Sequence, residues 1–207
     1  MHTGPLTAPV RARPLDTAAG PGYRAPMIID GVGMRYAEPG DAAALADVLA
    51  RNRAYMAPFE PWRSEVFYTE AGQRARIEGL LAECDAGRLH PFVITDAATD
   101  APIGMINLGN VSLGPFRSGG VGYWLDQAHT GRGAATAALQ EVCRIARDDL
   151  RLHRVEASTL VDNPASQRVL AKAGFSRIGL APGYLHINGA WRDHVLFQRL
   201  LNDDPPP

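Results

Sequence analysis

The stretch Leu125-Asp126-Gln127-Ala128-His129-Thr130-Gly131-Arg132-Gly133-Ala134-Ala135-Thr136 decides how this chain is read. An apolar run ends, two glycines flank an arginine, and a helix-like pattern begins with small residues. Glycine lets a backbone turn tightly and approach a ligand closely. The first-turn N–H groups of a helix have no partner within it, and the helix dipole adds partial positive charge there. That combination suits a pyrophosphate. Ala134 and Ala135 leave room for it, Thr136 adds a hydroxyl, and Arg132 is placed to pair with a phosphate. An ordinary strand-to-helix turn has the same composition. No Gly-Lys-Ser/Thr follows, and the third glycine of a dinucleotide fingerprint is missing.

Downstream, the helix has an apolar stripe of Leu139, Val142, Cys143, Ala146 and Leu150. A strand over Arg154 to Val161 follows, then a short helix from Pro164 to Ala173. Asn163 is its N-cap, Pro164 its first residue and Gly174 its stop. The chain closes in a hairpin whose Asn188-Gly189 turn is a strong type I′ signal.

Upstream, Met27 to Tyr36 reads as a strand or a hairpin broken at Asp30-Gly31. Leu45, Val48 and Leu49 share a helix face after Pro39-Gly40-Asp41. Asn52 to Phe67 has no clear period and reads as a loop or a broken helix. A second helix follows Thr69 as N-cap, with Ile77, Leu80, Leu81 and Cys84 in register. Strands follow at Phe92 to Thr95, Ile103 to Leu108 and Gly120 to Leu125. Residues 1–26 read as a flexible extension, 27–203 as a single domain and 204–207 as a frayed tail. The class is α+β, with a mostly antiparallel central sheet covered by helices.

Bulk properties exclude several alternatives. The 207 residues are 46% hydrophobic and 21% charged, a globular composition. The net charge of −1 gives no basic field for nucleic acid. No apolar run approaches the roughly 20 residues that span a bilayer, and no secretory h-region is present. Cys84 and Cys143 sit at apolar helix positions, which suits a reduced, cytoplasmic protein. His186 and His194 stand apart across the final hairpin, so no metal site is expected.

Two segments together carry a family resemblance. Thr130-Gly131-Arg132-Gly133-Ala134-Ala135 is similar to the pyrophosphate motif of the GNAT superfamily of acyl-CoA N-acyltransferases, with Thr130 in place of the usual Gln or Arg. Asn163-x-x-Ser166-x-x-x-Leu170-x-Lys172-x-Gly174-Phe175 resembles the second motif of its RimJ/RimL branch, the ribosomal-protein-alanine N-acetyltransferases. Asn52-Arg53 with Pro58-Phe59-Glu60-Pro61, Gly122-Tyr123-Trp124-Leu125-Asp126, and Tyr184-Leu185 with Ile187-Asn188-Gly189-Ala190-Trp191-Arg192-Asp193-His194 resemble the RimJ type. Phe59, Ile178 and Gly183 depart from the branch pattern on the acceptor side.

The resemblance implies about seven strands and about four helices, with a V-shaped opening between the fourth and fifth strands. Acetyl-CoA would be the cosubstrate, with no metal. Leu125, Asp126, Gly131, Arg132, Gly133, Ala134, Ala135, Thr136, Asn163 and Ser166 would bind it. Strands that part leave amides and carbonyls unpaired, and the pantetheine amides can satisfy them.

A free α-amine has a pKa near ~8 against ~10.4 for a lysine side chain, so an N-terminal acceptor needs little help to become neutral. Direct attack on the thioester, with no acyl-enzyme, is therefore expected. Ser166 is the candidate proton donor to the departing thiolate. Glu156 and Glu60 compete as base through a water. Asn107, Tyr184, His186 and Trp191 are candidates to line the acceptor groove; Trp62 and Phe67 are either peptide contacts or core. The acceptor is read as the N-terminal α-amine of a ribosomal or other protein. A small amine, such as an antibiotic or polyamine, is the second reading, and a non-catalytic acyl-CoA sensor the third. No nucleic-acid or membrane partner is expected, and the chain is read as a monomer or homodimer.

Overall fold

A computed structural model describes residues 24–205. The expected extension over 1–26 therefore lies mostly outside the described residues, and Arg24 already belongs to a strand. Strands β1 (Arg24–Ile29) and β2 (Val32–Tyr36) form a hairpin. Helices α1 (Ala42–Met56) and α2 (Glu70–Asp85) come next. Then β3 (His90–Asp96), β4 (Pro102–Ser112) and β5 (Ser118–Leu125) form a meander. The chain continues through α3 (Ala134–Asp148), β6 (Arg154–Leu160), α4 (Pro164–Lys172), β7 (Ser176–Ile187) and β8 (Ala190–Leu200).

Among the described residues, eight strands join one sheet in the order β1-β2-β3-β4-β5-β6-β8-β7. Only the β5–β6 pair is parallel. The count exceeds the expected seven because Met27 to Tyr36 is a hairpin of two strands. The expected opening accordingly falls between β5 and β6.

The two sheet faces bury different side chains, as strand alternation requires. Phe92 and Ile94 of β3 and Ile106 and Leu108 of β4 pack with Leu139, Val142 and Ile145 of α3. Val93 and Met105 face the other way, onto Leu45 of α1 and Ile77 of α2. With both faces covered, the central strands read as unbroken apolar runs. Thr69 caps α2 as expected, its hydroxyl accepting from the Gly72 amide at 3.1 Å. Asn188 and Gly189 both take positive φ, 46° and 83°, so the final hairpin has its expected tight turn.

Arg35 of β2 pins the start of α1. Its guanidinium donates to both carboxylate oxygens of buried Asp41 at 2.9 and 2.7 Å, and to Asp100 at 3.0 Å. The Asp41 hydrogen bond outweighs burial and raises the Arg35 pKa, so this cation stays charged.

The segment from Asn52 to Phe67 resolves into the last turn of α1, a 3₁₀ turn at Ala57–Phe59 and another at Glu65–Tyr68. Its aromatic and proline residues obscure the helical period, although Asn52 and Met56 are buried on the α1 face.

Candidate active site

Strands β5 and β6 pair at only three positions, Ser118–Arg154, Gly119–Val155 and Gly120–Glu156. Beyond them β5 stays with β4 as far as Leu125, and β6 stays with β8 as far as Leu160. A register irregularity between Gly109 and Ser112 of β4 lies beside these last shared rungs. Such bulges bend a strand and sharpen its twist.

The result is a cleft of about 850 Å³ between the two strand ends. Its walls include Val121 to Leu125, Ala157 to Leu160 and the starts of α3 and α4. Tyr55, Met56, Phe59 and Glu60 come in from the α1 side.

One end of the cleft is made of main chain. Gly131 and Gly133 hold φ of 77° and 88°, a region that side-chain-bearing residues enter only with strain. Gly133 is the α3 N-cap, and no side chain caps the helix. A Cβ on Gly131 would meet nothing within 4 Å, so the loop leaves open space in front of these amides. Gly131, Gly133, Ala134, Ala135, Thr136 and Leu125 all line the cleft. This cradle fits a diphosphate by backbone geometry alone.

Two loop residues have other positions. Arg132 is exposed and does not line the cleft. Asp126 is buried, and its carboxylate is an internal clamp. It accepts from Arg51 at 2.5 Å, from Asn52 Nδ2 at 2.8 Å and from the Ala128 amide at 3.3 Å. Burial works to raise its pKa, but those hydrogen bonds prevail and bring it down to about 2. Asn52 completes the clamp by accepting from the Gln127 amide at 2.9 Å. The pair ties α1 to the entry of the glycine loop, and Asp126 does not line the cleft.

At the start of α4, Asn163 Oδ1 accepts from the Ser166 amide at 3.1 Å, the cap read from sequence. Asn163 and Ser166 both line the cleft. Ser166 Oγ lies 2.9 Å from the Tyr123 hydroxyl. Burial pushes the Tyr123 phenol up to about 12 against the lowering effect of that bond, so it stays protonated. Sequence reasoning quoted Tyr123 within a matching stretch but gave it no role. The alternation of β5 was the available signal, since it sets Tyr123 opposite its neighbours Gly122 and Trp124.

The two candidate bases separate. Glu156 sits at the closed root of the split, in an ion pair with Arg154 at 2.9 Å, and does not line the cleft. Glu60 does line it. Burial raises the Glu60 pKa, and Arg63 and Arg76 partly offset that. Its carbonyl accepts from the Asn188 amide at 3.1 Å, fastening the loop to the β7–β8 turn.

The acceptor candidates fare differently from the expectation. Tyr184, His186 and Trp191 are exposed and do not line the cleft; Leu185, Ile187 and His194 do. The β7–β8 register shifts between Ala181 and Leu185, and Gly183 there takes φ 55°. Tyr184 packs at a tilt against His194, 5.4 Å between ring centroids, and His186 packs edge-on against Trp191 at 5.6 Å. Asn107 lies one strand back, on β4, and its Oδ1 is buried without a partner. Trp62 is exposed, and Phe67 is half-buried.

Neither cysteine offers a thiolate: burial raises both pKa values, Cys143 to about 11. Among the described residues no cluster of His, Cys, Asp or Glu has metal-binding spacing, and no helix is long and apolar enough to cross a membrane.

Residues 32–176 match the family model of the acetyltransferase (GNAT) domain. The chain belongs to the GNAT acetyltransferase family. It is 35% identical over 164 residues to the ribosomal protein uS5-alanine N-acetyltransferase of Escherichia coli (strain K12), covering 79% of this chain and 84% of that one. The ribosomal-protein-S5-alanine acetyltransferase of Vibrio fischeri superposes with a TM-score of 0.81 at 35% identity, over 86% of this chain and 97% of that one. Mycobacterium smegmatis RimJ, solved in complex with CoA-disulfide, gives 0.78 at 36% identity, over 82% and 81%. The GNAT chain described here is thus of the RimJ/RimL type, and its open, mostly antiparallel sheet with four flanking helices is the GNAT fold.

Proposed function

We propose that the protein transfers the acetyl group of acetyl-CoA to the N-terminal α-amine of a protein, a ribosomal protein first among candidates, in the cytoplasm. The diphosphate of the cosubstrate would lie on the amides of Gly131 to Thr136. Arg168 and Lys172 of α4 also line the cleft and add positive charge. The pantetheine arm would run between β5 and β6 and use the main-chain groups left unpaired there. Asn163, its Oδ1 engaged in the cap, keeps its Nδ2 for that arm.

The acetyl carbon would then lie between the Ser166–Tyr123 hydroxyl pair and the Glu60 side of the cleft. Glu60 takes a proton from the amine through a water, the amine attacks the thioester carbonyl directly, and Ser166 returns a proton to the thiolate. Glu60 is preferred to Glu156 because only Glu60 faces the cleft.

The acceptor class rests on one observation: Glu60 is the only acid among the described residues lining the cleft. A polyamine or aminoglycoside carries several positive charges and needs several carboxylates, whereas a peptide N-terminus needs one. The likeness to RimJ-type enzymes supports the same reading.

The test is thiol release from acetyl-CoA with short peptides starting in Ala, Ser or Met, beside polyamines and aminoglycosides. Peptides should exceed the small amines by at least about tenfold in kcat/KM. The reverse order would assign the enzyme to small amines. Acetyl-CoA binding without turnover of any amine would make it a sensor.

A further inference from the structure

Glu60 lines the cleft, and two arginines stand behind it without lining the cleft themselves: Arg63 in the same loop and Arg76 on α2. The guanidinium groups of Arg63 and Arg76 both lie over the Phe67 ring, 4.6 and 5.8 Å from its centroid. Both cations act on the Glu60 carboxyl, and Arg63 also acts on Arg76. Two positive charges near one negative charge leave this half-buried cluster with an excess cation.

Neither arginine makes an ion pair among the described residues. Arg53, nearby on α1, is by contrast held by both oxygens of Glu65, at 2.6 and 2.9 Å. The Arg76 guanidinium donates to Met105 Sδ at 3.2 Å, a weak acceptor. Arg63 Nε is buried with no partner. Asn107 Oδ1 is a second buried atom without a partner. It lies two residues from Met105 and so on the same sheet face.

Desolvated charge without a counter-ion is costly to keep in a folded protein. A guanidinium offers a planar fork of donors that matches a carboxylate, and a neighbouring aromatic ring limits where it can move. The position is also informative: the cluster adjoins Glu60 on the α1–α2 face, while the glycine cradle lies at the start of α3 on the other.

We propose that Arg63 and Arg76 form a subsite for a carboxylate carried by the acceptor, an Asp or Glu side chain within its first few residues. The proposal rests on the reading of the acceptor as a protein N-terminus. The acceptor's ammonium then faces Glu60 while its acidic side chain neutralises the two guanidinium groups. Asn107 Oδ1 is left to accept from a peptide N–H. The subsite selects N-termini that are basic at the amine and acidic shortly after it.

The experiment uses the full chain, acetyl-CoA and pairs of Ala-starting peptides that differ only by Glu or Gln at position 2, 3 or 4. For at least one position the Glu peptide should have kcat/KM about tenfold above its Gln twin, with the difference in KM. In Arg63→Gln and in Arg76→Gln that ratio should fall towards one. Losing a cation also alters Glu60, but both twins meet the same altered Glu60, so the ratio isolates the subsite. Arg63 sits in a loop, so Arg63→Gln carries the test should Arg76→Gln fail to fold.

Equal rates for Glu and Gln twins with the unaltered enzyme would overturn the subsite and leave N-terminal acetylation standing. A ratio that survives in Arg63→Gln would overturn it too. A tenfold loss of acetyl-CoA affinity in that variant, by calorimetry, would instead assign the arginines to the cosubstrate. If no peptide were acetylated while small amines were, the acceptor reading and the subsite would fall together.

Discussion

At the α3 end of the cleft, the groups offered to a ligand are main-chain amides, set by Gly131, Gly133 and the cap at Asn163. At the α1 end they are side chains: Tyr55 from the last turn of α1, and Phe59 and Glu60 from a loop between two helices that is fastened to a hairpin more than a hundred residues later. Each arrangement fails differently. A backbone cradle depends on φ angles and open space, so one added side chain can ruin it. A side-chain mouth depends on packing between distant segments, so its residues can change while the frame remains. This suits an enzyme whose cosubstrate is fixed and whose acceptor varies.

The sharpest way to break the comparison is Gly131→Glu. The site has room for a side chain, so the fold should survive with a modest loss of stability from the positive φ. A carboxylate set about 4 Å from a phosphate costs roughly 4 kcal/mol at an effective dielectric of about 20, which is about a thousandfold in affinity. Calorimetry with CoA should show that loss, and Gly131→Ala, which adds strain without charge, should lose about tenfold or less. Similar losses in both variants would mean that backbone shape, not a nearby diphosphate, explains the effect.

Glu60→Gln tests the other end. The α-amine is already about one-tenth neutral at pH 7, so removing the base should lower kcat/KM by about tenfold to a hundredfold. The pH profile is the finer readout. The Glu60 pKa is raised, first by burial and in spite of Arg63 and Arg76. As a base it works ionised, so kcat/KM should climb with pH through an acid limb above the ordinary carboxylate range. In Glu60→Gln that limb should vanish and leave only the amine's own titration near ~8. A limb that persists would return the base role to another group.

The same contrast explains what was legible in the sequence. Glycines at positive φ, an Asn cap and a Pro at the first helical turn are local requirements, so Gly131, Gly133, Asn163 and Pro164 were readable in place. The helix faces and strands were readable for the same reason: burial repeats along the chain. The internal role of the Asp126 carboxylate was not legible, because its neighbours in sequence are loop residues while its partners Arg51 and Asn52 lie some 75 positions away. Tyr184, His186 and Trp191 do not line the cleft, while Leu185, Ile187 and His194 do; the hairpin's sequence does not show which of its alternating positions borders an opening formed by other strands. Glu60 could be named but not separated from Glu156, since the difference lies in what each faces across the fold.

The smallest expected effect lies where the two ends meet, at Ser166 and Tyr123. Their oxygens are 2.9 Å apart, and the phenol is held protonated by burial. A proton passed from Ser166 to the thiolate can be replaced from Tyr123, so the two hydroxyls act as one donor. A departing thiolate has a pKa near that of free cysteine, about 8.5, and water also protonates it readily. Ser166→Ala and Tyr123→Phe should therefore each lower kcat by only about tenfold, with acetyl-CoA affinity nearly kept. The double variant decides whether they form a unit. Removing both should cost no more than removing Ser166 alone, because Tyr123 reaches the thiolate only through it. Effects that multiply would give Tyr123 a separate route to the substrate, and unchanged kcat in Ser166→Ala would take the pair out of the chemistry.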